Sequence, residues 1–263
     1  MTVKKMISGK NNRFIKEVSK LMSSAKERRQ KGLFAAEGIR LCRDALQSGA
    51  DIVNFLYTAE AAEKYKQDFE GIISAADDSC EVSREVFDRI ADTGTPQGFM
   101  CIIKSELRTK MKEIEKGKKY TALENIQDPT NLGTILRTAE ALGSDGVVLS
   151  SGCCDIFSPK VVRGSMGAIF RLPFMLVDNM TEFVYDMKDR GICTYASTPH
   201  EAENIEDMDF SGGGIMLIGN EGNGLKKETA DACRSRVRIE MKGRAESLNA
   251  SAAAAILLYK FNL

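Results

Sequence analysis

The residues whose types and spacing could do chemistry gather in three strand-to-helix turns of the second half of the chain. Ligands of open α/β sheets collect beyond the carboxyl ends of strands, so polar residues at such turns are well placed to meet one. The first turn is ENIQDPTNLGTILRTAEALG, where Pro129 halts a strand, Asn131 is suited to cap the helix that follows, and Gly143 ends it. Leu132, Ile135, Leu136 and Ala139 cluster on one side of that helix, and Arg137 lies roughly 140° from their centre at about 100° per residue. Arg137 is therefore kept out of the core, either as an ordinary surface arginine or as one facing a ligand.

The second turn, GIMLIGNEGNGLKKE, runs a short apolar strand into a loop with Gly219, Gly222 and Gly224. Its glycine spacing matches neither the dinucleotide fingerprint nor the P-loop, and Glu221 inside it would repel phosphate. Backbone that a ligand can approach closely, beside a carboxylate, suits a molecule with a sugar, an adenine or a positive charge. S-adenosylmethionine has that character, although a tight turn with a capping acid would look the same. The third turn, RIEMKGRAESLNASAAAAILLYKF, ends a strand in a loop, after which Ser247, Asn249 or Ser251 caps a helix rich in alanine. Read alone it is a well-capped buried helix. No cluster of His, Cys, Asp or Glu has ligand spacing, so no catalytic metal is expected, and the sole histidine, His200, reads as a surface loop residue.

A parallel sheet has to position these turns. Strands are expected at Tyr120 to Leu123, Gly146 to Leu149, Cys193 to Ala196, Gly214 to Ile218 and Val237 to Met241. Helices are expected at Asn131 to Leu142, Thr181 to Arg190 and Asn249 to Phe261, with a looser section after the second strand. Upstream, Leu33 to Ala36, Ile52 to Thr58 and Phe99 to Ile103 read as strands, and Ile39 to Gln47 and Ser83 to Ala91 as helices. A polar, charged stretch separates the halves, which divides the chain into 1–105, a linker at 106–118, and 119–263.

The net charge is +0, which argues against a uniformly basic binder, but the charge is uneven. Up to residue 31 there are ten basic residues (Lys4, Lys5, Lys10, Arg13, Lys16, Lys20, Lys26, Arg28, Arg29 and Lys31) against Glu17 and Glu27. Phe14, Ile15, Val18, Leu21 and Met22 repeat at helical spacing, so a single basic amphipathic helix is expected, its charged face either simply solvated or in contact with phosphate. There is no apolar stretch after the first lysines and no run of eighteen apolar residues, so neither secretion nor membrane insertion is expected. The 7 cysteines have no paired spacing of a zinc site or redox dithiol, which fits a reducing cytoplasm.

Taken together and in this order, the three turns resemble the signature motifs of the SpoU (TrmH-like) branch of the SPOUT methyltransferases. The resemblance rests on Asn131, Gly133, Arg137 and Gly143, then Gly219, Glu221, Gly222 and Gly224, then Ser247, Leu248 and Asn249. Upstream, SGKNNRFIKEVSKLMSSAKERRQKGLFAAEGIRL, with its Glu37-Gly38 pair, is similar to the amino-terminal substrate-binding domain of many members. The segment SPKVVRGSMGAIFRLPF, with Arg163, Ser165 and Gly167, also resembles the family.

The resemblance implies a small amino-terminal α/β RNA-binding domain before a SPOUT α/β domain with a parallel sheet and a deep trefoil knot. It implies a homodimer, S-adenosyl-L-methionine as cofactor, and transfer of its methyl group to a ribose 2′-hydroxyl of RNA, with 23S ribosomal RNA favoured over transfer RNA. Catalytic candidates on this basis are Asn131, Arg137, Glu221, Ser247 and Asn249. The cofactor candidates are Ile218, Gly219, Asn220, Gly222, Gly224, Ile239, Met241, Ser247 and Leu248, joined by Ser197 and Thr198 just after a strand. RNA candidates are Lys10, Arg13, Arg28, Arg29, Lys31, Arg40 and Arg163. A guanidinium is a poor general base, so Arg137 suits holding phosphate or stabilising a developing alkoxide. Rival readings are a non-enzymatic RNA-binding protein, which would need no cofactor cavity, and a small-molecule enzyme with a nucleotide cofactor, against which Glu221 and the glycine spacing count.

Overall fold

A computed structural model describes residues 6–9, 11–106, 111–199, 201–245 and 247–263. Lys4, Lys5, Lys10 and His200 lie outside the described residues. The chain forms two compact units, one of residues 1–108 with 157–170 and the other of 109–156 with 171–263.

The first unit runs α1 (Arg13–Ser23), α2 (Ala25–Lys31), β1 (Leu33–Glu37), α3 (Ile39–Gln47), β2 (Ile52–Tyr57), α4 (Ala59–Lys64), α5 (Lys66–Ala75), β3 (Asp78–Glu81), α6 (Arg84–Ile90) and β4 (Phe99–Lys104). Its sheet has the order β1-β4-β2-β3, with β4 antiparallel to both neighbours and β2 parallel to β3. Ile15, Val18 and Leu21 of α1 pack with Val86, Phe87 and Ile90 of α6 on Leu56, Met100 and Ile102 of the sheet.

The single basic helix expected at the amino end is two helices. Ser24 leaves helical geometry, and its hydroxyl accepts from the Glu27 amide at 3.3 Å to cap α2. That break turns Arg28 inward, where it is 5% exposed and its guanidinium donates to the carbonyl oxygens of Leu21 at 2.5 Å and Met22 at 3.3 Å. These are carbonyls that the last turn of α1 leaves without helical partners. Arg28, expected on the RNA face, is instead the C-terminal cap of α1. Arg28→Ala should lower unfolding stability by about 2 kcal/mol, the worth of charge-assisted hydrogen bonds to buried carbonyls. Urea unfolding measures this.

Near the start of the second unit Ile114 is buried in its core, so the end of the expected linker is part of this fold. Then come β5 (Lys119–Leu123), α7 (Pro129–Ala141) and β6 (Gly146–Ser150). The chain next supplies α8 (Pro159–Gly164) and a 3-10 turn at Ala168–Phe170, which belong to the first unit. There Phe157 meets the ring of Phe34 in β1 with centroids 4.7 Å apart, and Phe170 does so at 6.1 Å. The stretch 157–170, expected within the carboxyl-terminal domain, thus takes its core contacts from the first unit.

The second unit continues with β7 (Phe174–Val177), α9 (Met180–Asp189), β8 (Thr194–Ser197), β9 (Glu203–Asn204), β10 (Gly214–Ile218), α10 (Lys227–Ala232), β11 (Ser235–Arg238) and α11 (Ala250–Asn262). All seven of its strands are parallel, in the order β7-β6-β5-β10-β8-β11-β9. β6 and β10 are buried along their whole length because helices cover both faces, which is why their sequences are unbroken apolar runs. Met180, Val184 and Met187 of α9 cover one face, and α11 packs on α7, β10 and β5 on the other. Among the described residues no helix is long and apolar enough to cross a membrane.

Candidate active site

The strand order reverses between β5 and β10, with β6 and β7 on one side and the later strands on the other. Such a reversal leaves a crevice at the carboxyl ends of the strands. A cavity of about 300 Å³ opens there, walled by the ends of β8, β10 and β11 and by α11. Ser197 and Thr198 line it from β8, and Ile218, Gly219, Asn220, Gly222 and Gly224 from β10 and its loop. Ile239, Met241, Ser247 and Leu248 line it from the last connection. The final strand ends at Arg238, not Met241, so Ile239 and Met241 face the cavity from a loop.

The spacing of the motifs left part of this wall unseen. Ala250, Ala253 and Leu257 of α11 also line it, as do Val237, Arg238 and Pro199. The alanine-rich run was the available signal, because small side chains let a helix backbone come close to whatever fills the space. Gly219 carries a related constraint: a Cβ there would collide with the backbone of Gly224 and Leu225, which closes the loop onto the end of β10. Inside that loop Asn220 and Gly224 exchange backbone hydrogen bonds at 3.0 and 2.9 Å, and the Asn220 Oδ1 accepts from the amides of Gly222 and Asn223.

At the rim of the cavity the three turns are joined by one chain of hydrogen bonds. Glu221 accepts at Oε1 from Asn131 Nδ2 and the Asp128 amide, both at 3.1 Å, and at Oε2 from the Gln127 amide at 3.3 Å. Asn131 Oδ1 in turn accepts from Asn249 Nδ2 at 3.1 Å, and Asn249 Oδ1 caps α11 by accepting from the Ser251 amide at 2.9 Å. Asn131 does not cap its helix as expected. Asp128 does, accepting from the Thr130 amide at 2.6 Å, because Pro129 is well suited to the first helical position and starts α7 two residues earlier. Asn131 is thereby left inside the first turn, only 7% exposed and free to reach Glu221.

Partial burial alone would raise the Glu221 carboxyl, but backbone amides and Asn131 donate to it and hold it below the ordinary carboxylate range. A depressed folded value means the carboxylate stabilises the fold above its unfolded value, and that stability is lost as the pH falls through the folded one. Stability should therefore decline on the acid side, and Glu221→Gln should flatten that limb in unfolding measured from pH 7 to pH 3. The amide puts a donor against donors, so the variant should also be less stable at neutral pH.

Arg137 is exposed and does not join this network. It lies six positions beyond Asn131 on α7, about 120° round and ~9 Å along the axis. There it lines a different recess, of about 590 Å³, with Leu142 and with Ile256, Tyr259 and Leu263 of the terminal helix and tail. Within one chain the structure thus gathers Asn131, Glu221, Ser247 and Asn249 and leaves Arg137 apart. On the first unit Arg13, Arg29, Lys31 and Arg40 are exposed, Arg13 and Lys31 both pairing with Glu17. Arg163 forms an ion pair with Asp92. Among the described residues no group of three metal-ligating side chains is placed to hold an ion.

A parallel sheet whose switch-point cavity is closed by a glycine-rich loop and the chain's own last helix defines an α/β enzyme of the SPOUT methyltransferase fold. The chain belongs to the SpoU rRNA Methylase family, which matches residues 118–259, while residues 12–101 match the MRM3-like substrate binding domain. It is 29% identical over 255 residues to the 23S rRNA (guanosine(2553)-2′-O)-methyltransferase RlmP of Bacillus subtilis, covering 97% of this chain and 98% of that protein. An uncharacterized tRNA/rRNA methyltransferase of Synechocystis is 30% identical over 256 residues, covering 97% and 92%. Among solved structures, the AdoMet-bound rRNA methyltransferase of Sinorhizobium meliloti superposes with a TM-score of 0.87 at 30% identity, covering 97% and 96%.

Proposed function

We propose that this enzyme transfers a methyl group from S-adenosyl-L-methionine to a ribose 2′-hydroxyl of RNA, with 23S ribosomal RNA as its substrate class. The observation that carries the reading is the cavity at the sheet's switch point, on which every expected cofactor residue converges. Its chemistry fits the cofactor: Ile218, Leu248 and Leu257 offer apolar surface to an adenine, while Glu221 and Arg238 offer both signs of charge to a sulfonium and an amino-acid tail. When bound, the cofactor supplies an electrophilic methyl group on positively charged sulfur. The similarity to RlmP, whose name specifies 23S rRNA and a 2′-oxygen, supports the choice of substrate.

In this reading the Glu221–Asn131–Asn249 chain fixes the relative positions of the three turns, and Ser247 faces the ligand. Arg137 supplies the guanidinium that holds RNA phosphate or stabilises the oxygen as it attacks, through its rigid planar fork of donors. A second copy of the chain brings it there. Ile256, Tyr259 and Leu263 are 41%, 60% and 79% exposed beside Arg137, a row of large apolar side chains that an isolated chain would leave in water. We therefore infer a homodimer through α7 and α11, with Arg137 completing the partner's site. The return of α11 across β5 and β10 supports a threaded, knotted carboxyl end. The exposed basic residues Arg13, Arg29, Lys31 and Arg40 support phosphate contact by the first unit in a cytoplasmic enzyme.

Transfer of labelled methyl from S-adenosylmethionine to total bacterial RNA, followed by nuclease digestion and nucleoside analysis, tests the proposal. Label in a 2′-O-methylnucleoside from ribosomal RNA is the expected result. Label in a methylated base would overturn the ribose assignment, and label confined to transfer RNA would overturn the choice of substrate.

A further inference from the structure

Two consecutive residues outside the motif positions, Glu124 and Asn125, grip opposite ends of the glycine-rich loop. Glu124 immediately follows β5 and is 2% exposed. Its Oε2 accepts from the Lys226 amide at 2.8 Å, just beyond the loop, and its Oε1 accepts from the Thr229 hydroxyl at 2.8 Å. Thr229 Oγ1 also lies 2.8 Å from Thr181 Oγ1, which extends the chain of bonds to α9. Asn125 has a left-handed φ of 57°, a conformation that asparagine tolerates better than most residues. Its carbonyl accepts from Asn220 Nδ2 at 2.8 Å, at the front of the loop. Its own amide donates to Ser150 Oγ at 2.9 Å, and the Ser150 hydroxyl donates to Asn125 Oδ1 at 3.2 Å. Gly152 packs so tightly on the Asn125 side chain that a Cβ there has no room.

The loop between these grips is exposed from Glu221 to Gly224 and has little apolar surface to hold its shape. A flexible loop would have to be ordered at the moment of binding, at a cost in affinity. We propose that Glu124 and Asn125 are positioning residues, a two-point clamp that pre-forms the cofactor loop before the ligand arrives. The proposal rests on the reading of the cavity as the methyl-donor site. It assigns the buried carboxylate a task in ligand affinity beyond the stability of the sheet.

Replacing Glu124 tests this in the full chain. Glu124→Ala should weaken S-adenosylmethionine binding, measured by calorimetry, by about tenfold or more through the lost pre-organisation. It should raise KM for the methyl donor while leaving kcat at saturating donor within about threefold, and speed amide exchange of residues 219–226 in the ligand-free protein. Glu124→Gln should restore affinity to within about threefold, because its Oε1 can still accept from Lys226 and its amide can donate to Thr229, whose proton turns to Thr181. If the alanine variant does not fold, Thr229→Val, which removes one donor at nearly constant volume, should give a smaller shift in the same direction. A folded alanine variant with wild-type affinity and wild-type loop exchange would overturn the clamp. Failure of the wild-type protein to bind the donor would instead overturn the cofactor reading, and the ligand-free exchange would still judge the clamp.

Discussion

Arg137→Ala is expected to lower methyl transfer to RNA by at least about a hundredfold, the scale on which a positioned charge stabilises a developing anion. Binding of S-adenosylmethionine should be unchanged, because Arg137 does not line the cavity that would hold it. Arg137→Lys should remain strongly impaired, since lysine keeps the charge and loses the planar fork that matches phosphate. A fully active lysine variant would show that charge alone suffices. Separate assays of binding and turnover distinguish these outcomes.

The same residue has a sharper consequence if it works across a dimer. Mixing equal amounts of Arg137→Ala with a variant damaged in the cofactor loop, followed by dissociation and reassociation, puts half of the molecules into mixed dimers. Each mixed dimer then has one intact site, so activity should return to about a quarter of wild type by the two-fold symmetry of such an assembly. If Arg137 served its own chain, no intact site would form and the mixture would stay silent. The apolar row Ile256, Tyr259 and Leu263 predicts a related effect: a charged residue at Tyr259 should yield monomers in sedimentation and an inactive enzyme.

Gly219→Ala is the second large effect, and it serves as the partner in that mixture when the methyl donor is kept well below the variant's weakened affinity. Gly219 has no unusual φ, so the cost is not backbone strain; its Cβ would collide with the main chain of Gly224 and Leu225, which cannot swing aside as a flexible side chain could. The loop must open instead, at about 1–3 kcal/mol, or roughly 5- to 150-fold in affinity for S-adenosylmethionine. Calorimetry of the folded variant measures this, and stability should change less because the loop lies at the surface. Wild-type affinity would mean that the loop does not contact the ligand.

Much of the second unit was legible because its signals are local. The apolar runs of β5, β6 and β10, the helical spacing of Leu132, Ile135, Leu136 and Ala139, and the glycines after β10 each state their element without reference to the rest of the chain. The short polar strand β3 and helices α4 and α5 were missed for the opposite reason: Asp78–Glu81 has no apolar alternation and becomes a strand by pairing with β2. Likewise the charge pattern around α2 could not show Arg28 turning inward, since that depends on the carbonyls of α1 being within its reach.

By itself, then, the sequence determined an α/β chain with three polar strand-to-helix turns and an arginine kept out of the core, because those properties follow from spacing of 2 and about 3.6 residues. Only the tertiary structure decided that Glu221, Asn131 and Asn249 form one hydrogen-bonded chain across positions far apart in sequence, that Arg137 stands on another face, and that residues 157–170 fold with the first unit. The physical reason is common to all three. Hydrogen bonds and aromatic contacts are satisfied by whichever groups the packed sheet and helices bring within a few ångströms, and no local pattern records which distant residue that will be.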